Sequence, residues 1–294
     1  MARSLIRLMR PYQWVKNGFV FVGLVFGHGW TDAALVADAA ILFAAFCLVS
    51  SAVYVVNDFA DRAADRLHPE KRTRPLARGD IAAAPALAFA TALSIAGLAL
   101  AAWVSLYSFF IAAAYVALNM AYSAGLKHVA ILDVFLIAGG FMLRILAGTL
   151  GMGIHPSNWL LFCGLMLTLF LGFCKRRAEL AAVTGAGSEG GQAGQRASLD
   201  GYSMGLLDCL IAVSVTGAAV GYAFYTLAPG TVVLHGTDRL IFTLPFVLYG
   251  LFRYLHIVYL KGGGGDPAWE LLRDPHLIAA TACWLALTGW LLAG

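Results

Sequence analysis

Apolar runs of about 20 residues, the length that crosses a bilayer's hydrocarbon core, alternate with short polar segments along almost the whole chain. They lie near 18–31, 35–57, 82–104, 107–123, 130–151, 158–174, 204–228, 237–260 and 275–293, which predicts nine spans. The first is short and broken by glycines. The third and fourth are separated only by a turn near Val104–Tyr107, which predicts an antiparallel helical hairpin. The pattern therefore predicts an all-α integral membrane protein, a nine-transmembrane-helix bundle formed as one domain over residues 1–294. GAGSEGGQAGQR predicts a flexible loop about 185–197 that divides six spans from three, and KGGGGDP at 261–267 predicts another. Neither bounds a soluble domain.

Composition agrees. The chain is 61% hydrophobic and 12% charged, against about 25% charged in soluble domains, and its mean hydropathy is +0.79. The five cysteines lie in or at the ends of apolar runs with no CxxC pair, so they read as small buried residues rather than redox or metal groups. No small-residue cleavage site follows the first run, which predicts a retained span rather than a signal peptide.

Charge adds orientation. The net charge of +4 calls for no nucleic-acid partner. With nine spans, the side holding the N-terminus receives the loops near 58–81, 124–129, 175–203 and 261–274. Of the 20 Lys and Arg, only Arg144, Arg239 and Arg253 lie elsewhere. The positive-inside rule then places the N-terminus and these loops on the cytoplasmic side of the cell inner (plasma) membrane.

The chemistry gathers at the end of the second run. After the uncharged stretch Ala39–Val56 come Asn57, Asp58, Asp61 and Asp65. At about 100° per residue the three carboxylates share an arc of about 60° on one helix face. Carboxylates crowded beside hydrocarbon repel each other and are costly to bury, and holding a cation relieves both costs. Oxygen ligands with room for water and phosphate favour magnesium, with manganese as the alternative ion, over zinc. A solvated helix end with surface pairs Asp61–Arg62 and Asp65–Arg66 is the plainer alternative. The next loop carries Lys71, Arg72 and Arg74, and arginine's planar fork suits phosphate oxygens. A carboxylate-held divalent cation beside several cationic side chains is what a diphosphate needs.

Other polar clusters fall at the same predicted rim. RPYQWVKN brings Gln13, Lys16 and Asn17; YSAGLKHVAILD brings Tyr122, Ser123, Lys127, His128 and Asp133; KRRAEL brings Lys175, Arg176, Arg177 and Glu179; SLDGYS brings Asp200 and Tyr202. Each alone reads as an interfacial anchor or loop residue. Arg144 differs, because it lies inside a span where charge is costly. It is expected to face the bundle interior and pair with an acid or a bound phosphate. A transporter with an acidic cation site is a competing class, but it would string ionisable groups through several spans, whereas here most crowd one rim.

NDFADRAADRLHPEKRTRPLARG resembles the first aspartate-rich motif of the UbiA-type prenyltransferase superfamily. That resemblance implies an intramembrane nine-helix bundle binding a diphosphate through magnesium, with Asp58, Asp61 and Asp65 as catalytic metal ligands and Asn57 assisting. The aromatic prenyltransferases carry a second D-x-x-x-D pattern after the sixth span, where this chain has KRRAEL and later SLDGYS. RPYQWVKN, YSAGLKHVAILD, GGFMLRILAG and KRRAEL instead resemble the branch that moves ribose 5-phosphate from phosphoribosyl diphosphate to a polyprenyl phosphate, releasing diphosphate. The resemblance implies phosphate binding by Lys16, Arg72, Arg74, Lys127 and Lys175. It implies that Asp133, Glu179 and Tyr202 hold ribose hydroxyls or orient the cations. Gln13, Asn17, Lys71, Tyr122, Arg144 and Arg176 complete the candidate substrate-binding set. Prenyl transfer from a prenyl diphosphate to an aromatic acceptor is the alternative within the same superfamily.

Overall fold

The computed structural model describes residues 2–67, 71–185, 197–265 and 267–293. Among them all regular structure is helical. Among the described residues eight helical segments are long and apolar enough to cross a membrane by length and composition, and each contains one long α-helix. We label them α1 (Ala33–Ala60), α2 (Ala83–Val104), α3 (Leu106–Ser123), α4 (Leu132–Ala147), α5 (Asn158–Gly185), α6 (Met204–Leu227), α7 (Leu244–Leu260) and α8 (Pro275–Ala293). The flexible loop expected about 185–197 falls, from 186 to 196, outside the described residues.

The first expected span is the exception. Residues 11–21 form a 3-10 helix, Pro11–Phe21, followed by a five-residue α-helix, Val22–Phe26. A 3-10 helix rises about 2 Å per residue and returns to the same face every three residues. Trp14, Asn17, Val20 and Gly23 are spaced by three. Trp14 Nε1 donates to Ser51 Oγ at 3.1 Å, Asn17 Nδ2 to Ser50 Oγ at 3.3 Å, and Val20 is fully buried. Farther along, Phe21 meets Phe43, their ring centroids 5.5 Å apart. The segment thus runs antiparallel along α1 as an extended thread rather than a α-helix. Gly23 lets the same segment approach the end of α4 closely, since a Cβ there would lie 1.5 Å from the Gly148 carbonyl oxygen. Small residues permit such close backbone approach in membrane bundles.

The chain divides into two compact units. One comprises the described residues within Met1–His155 and Gly187–Ser198, the other those within Pro156–Ala186 and Leu199–Gly294. In the first, α1 is the central element. Asp32 caps it, accepting from Ala34 N at 2.8 Å. Leu42, Phe46, Val49 and Val53 of α1 are fully or almost fully buried, packing with Val20, Ala112 and Tyr115. A second apolar cluster joins Leu8, Val55, Leu76 and Ile81. This cluster fixes the site, because burial of Leu76 folds the loop after α1 back over the helix end. In the second unit, α5 and α6 pack together, as do α7 and α8.

Candidate active site

The acidic cluster sits where α1 ends. The last turn of an α-helix carries partial negative charge, so Asp58 and Asp61 stand where carboxylates are disfavoured unless cations meet them. Cations do. Arg10 Nη2 and Arg74 Nη1 both contact Asp58 Oδ1, the latter at 3.0 Å. The same Arg74 Nη1 lies 2.7 Å from Asp65 Oδ2. Lys127 Nζ pairs with Asp61 Oδ1, and Ser123 Oγ donates to Asn57 Oδ1. Asp58 and Asp65 are 2% and 3% exposed.

Local structure explains this convergence. The α-helix breaks at Asp61 (φ −88°, ψ 3°), and a short helix, Arg62–Leu67, resumes. The break alters the expected single face: Asp58 and Asp65 converge on Arg74, while Asp61 turns to Lys127, its side chain 39% exposed. Arg74 precedes a proline and is extended (φ −65°, ψ 143°), as pre-proline residues tend to be. Pro75–Arg78 then makes one helical turn, closed by Gly79 at φ 85°, while Arg66 Nε donates to Ala77 O at 3.1 Å. The basic loop is thereby folded over the aspartates.

Arg10 was counted only as a topology charge, yet it is part of the site. Its backbone is left-handed (φ 52°, ψ 60°), and its guanidinium lies over the Tyr54 ring at 5.2 Å. A non-glycine residue in that region costs about 1 kcal/mol or more and persists where surroundings dictate it. Here the turn between Ala2–Met9 and the 3-10 helix directs Arg10 onto Asp58. The sequence signal was its place at the head of RPYQWVKN.

The remaining candidates divide. Lys127 is buried and belongs to the cluster. Gln13 and Lys16 lie half-buried on the 3-10 helix, and Tyr122 is half-buried on the last turn of α3. Lys71 is half-buried, whereas Arg72 is exposed and makes no ion pair among the described residues. Asp133 is fully buried at the start of α4, where it accepts from Val134 N at 2.9 Å and Ser198 Oγ at 3.2 Å. Ile131, two residues earlier, takes φ 70°, an outlier for a β-branched residue.

Arg144 faces the unit interior as expected, 5% exposed, but its acceptors are neutral. They are Asn17 Oδ1 at 2.8 Å, Gly140 O at 2.9 Å and Tyr115 Oη at 3.0 Å. The Tyr115 and Phe141 rings lie 4.6 and 5.3 Å from it. No carboxylate pairs with it among the described residues; hydrogen bonds and ring faces supply the compensation that an acid would give. Asn17 is occupied here, away from the carboxylates.

In the second unit, Arg176 is buried on α5 and pairs with Glu179 one turn later, and Lys175 beside it is half-buried. Arg177 Nε donates to Asp208 Oδ1 at 2.7 Å and stacks over Tyr259 at 3.9 Å, whose hydroxyl reaches the same oxygen. A groove of about 370 Å³ lies between α6 and α7, lined by Asp208, Ile211, Val215, Leu255, His256 and Tyr259. Tyr202 is buried, its N–H donating to Leu199 O at 3.1 Å.

Among the described residues no three His, Cys, Asp or Glu side chains stand close enough to hold one ion. Two carboxylate oxygens nevertheless converge on one cationic nitrogen. That suits magnesium, which commonly takes one or two carboxylates and completes its shell with substrate phosphates and water.

Comparison with known proteins gives the family. The UbiA prenyltransferase family model matches residues 18–272, and the chain belongs to that family. It is a multi-pass membrane protein. It is 33% identical to the decaprenyl-phosphate phosphoribosyltransferase of Corynebacterium glutamicum, over 97% of this chain and 85% of that protein. It is 30% identical to the protein of the same name from Mycolicibacterium smegmatis, over 98% and 92%. Its fold is similar to a UbiA homolog from Archaeoglobus fulgidus bound to GPP and Mg2+, with a TM-score of 0.73, 18% identity, and coverage of 99% and 100% of the two chains.

Proposed function

We propose that this protein is a magnesium-dependent intramembrane transferase that moves 5-phosphoribose from phosphoribosyl diphosphate to a polyprenyl phosphate, releasing diphosphate. The observation that carries this reading is the paired cluster of Asp58, Asp61 and Asp65 with Arg10, Arg74 and Lys127, in a chain similar over nearly its full length to decaprenyl-phosphate phosphoribosyltransferases.

Asp58 and Asp65 would hold magnesium, or manganese in its place, and Asp61, turned to Lys127, is the third carboxylate proposed as a ligand. The ion, when bound, stabilises charge developing on the departing diphosphate. Arg10, Arg74 and Lys127 supply guanidinium and ammonium donors for phosphate oxygens, with Lys16, Lys71 and Arg72 as further phosphate-binding cations. Asn57, fixed by Ser123, orients the end of α1. In the second unit Lys175 is a phosphate-binding candidate, and Glu179 orients Arg176. The acceptor phosphate is already anionic, so transfer needs no general base. The electrostatics favour an oxocarbenium-like ribose carbon flanked by two phosphate groups. The charge asymmetry of the loops supports an active site on the cytoplasmic side of the plasma membrane.

Purified protein incubated with magnesium, labelled phosphoribosyl diphosphate and short polyprenyl phosphates should yield lipid-extractable label that depends on the polyprenyl phosphate. Turnover of a prenyl diphosphate with an aromatic acid, and none of the labelled ribose donor, would overturn the reading in favour of prenyl transfer.

A further inference from the structure

The three acids of the cluster are matched by three basic side chains, and Arg74 holds the central place. Its Nη1 stands 3.0 Å from Asp58 Oδ1 and 2.7 Å from Asp65 Oδ2, the spot where two carboxylates would otherwise meet a divalent cation. Arg10 contacts the same Asp58 oxygen, and Lys127 holds Asp61. None of these pairs is the fork-to-fork, two-bond contact that makes an arginine–carboxylate pair strong and rigid. The contacts to Asp58 all fall on one oxygen and come from side chains, not from fixed backbone donors.

We propose that Arg74, with Arg10 beside it, holds the position between Asp58 and Asp65 that a metal ion would take, and is exchanged rather than simply added to when the donor binds. This inference rests on the diphosphate site proposed above. A metal ion alone must displace a guanidinium whose side chain is 27% exposed and which then loses both carboxylate contacts, an unfavourable exchange that solvent softens. A diphosphate alone would draw Arg74 and Arg10 away and leave two buried carboxylates facing each other, which is also unfavourable. Metal and diphosphate together satisfy both sets: the carboxylates take the ion and the guanidinium groups take phosphate oxygens. The two ligands therefore bind with positive coupling, and by linkage each raises the other's affinity by the same factor. Arg74 thereby keeps the site closed to free metal and opens it to the metal–diphosphate pair.

The test is Mn2+ binding to the full-length protein in detergent, followed by the electron paramagnetic resonance signal of free Mn2+, with and without inorganic diphosphate. For the unaltered chain we expect Mn2+ affinity at least tenfold higher with diphosphate present. Arg74→Gln should bind Mn2+ alone at least tenfold more tightly than the unaltered chain and lose most of the enhancement by diphosphate. Arg74→Lys, which keeps a cation there, should retain weak binding of Mn2+ alone, and it serves if Arg74→Gln fails to fold. Unchanged or weaker Mn2+ affinity in Arg74→Gln, or tight binding of Mn2+ alone to the unaltered chain, overturns the exchange while leaving the metal site standing. No Mn2+ bound by any of the three proteins, even with diphosphate, overturns the metal site itself and this inference with it.

Discussion

Asp58 and Asp274 are both nearly buried aspartates that face arginine, yet their surroundings are opposite. Asp274 precedes α8, at a helix N-terminus that favours negative charge. Arg253 grips it with two bonds, Nε to Oδ1 at 3.0 Å and Nη2 to Oδ2 at 2.7 Å. The backbone N–H groups of His276 and Leu277 also donate to it, at 3.1 and 3.2 Å. Asp58 stands in the last turn of α1, where the helix field opposes it, and among the described residues its Oδ1 is met by the Arg10 and Arg74 side chains. The first arrangement fastens a helix. The second keeps a carboxylate in an unfavourable place, which is worthwhile where a ligand is to be taken up.

The largest effect that sharpens this contrast is on transfer. Asp58→Ala should lower polyprenyl-phosphate-dependent transfer by about 10³-fold, the scale of losing a principal electrostatic element of a site. Its melting temperature should fall less than that of Asp274→Ala, since Arg74 keeps Asp65 as a partner and removing the acid relieves a charge set against the helix end. Retention of full, magnesium-dependent transfer would sink the metal role.

Asp274→Ala should do the reverse. Asp274 accepts from the first N–H groups of α8, and losing a capping aspartate costs about 1 kcal/mol. Thermal unfolding in detergent should show that loss, while the Mn2+ and diphosphate affinities of the surviving folded protein stay unchanged. A mutant with normal stability and impaired transfer would erase the distinction.

Arg144→Lys lies between the two in kind. Lysine cannot reach Asn17, Gly140 and Tyr115 from one planar group, so stability should drop by about 1–2 kcal/mol, scaled from the hydrogen bonds lost. KM for phosphoribosyl diphosphate should stay constant. A selective rise in KM would place Arg144 among the substrate-binding residues.

The smallest effect is in pH. The Arg253 hydrogen bonds, above all, hold the Asp274 carboxyl well below the usual carboxylate range. An acid depressed on folding adds stability that is fully present above its unfolded value, about 3.9, and is lost as pH falls through the folded one. Melting temperatures below about pH 4 should therefore decline more steeply for the unaltered chain than for Asp274→Asn. Equal slopes would remove Asp274 from the account.

Much of this was legible in the residues. The apolar runs gave the long helices because hydropathy is a per-residue property that needs no partner. The spacing of Asp58, Asp61 and Asp65 marked the acidic cluster because a helix repeats locally. The thread over residues 11–26 was missed because a search for 20-residue apolar runs does not register a three-residue repeat such as Trp14, Asn17, Val20 and Gly23. Arg10 was missed because its role depends on a left-handed turn that no pattern of charges encodes. Asp61 left the shared face because α1 breaks there, and Arg144 found neutral acceptors on other elements. Such pairings are tertiary and fixed by packing.

The most direct measurement is an experimental structure of the full chain with Mn2+ and inorganic diphosphate, read by anomalous scattering from manganese. The account predicts a peak within coordination distance of the Asp58 and Asp65 carboxylates, with the Arg74 guanidinium turned from them onto diphosphate oxygens. A peak elsewhere, with Arg74 still bridging the two aspartates, would contradict it.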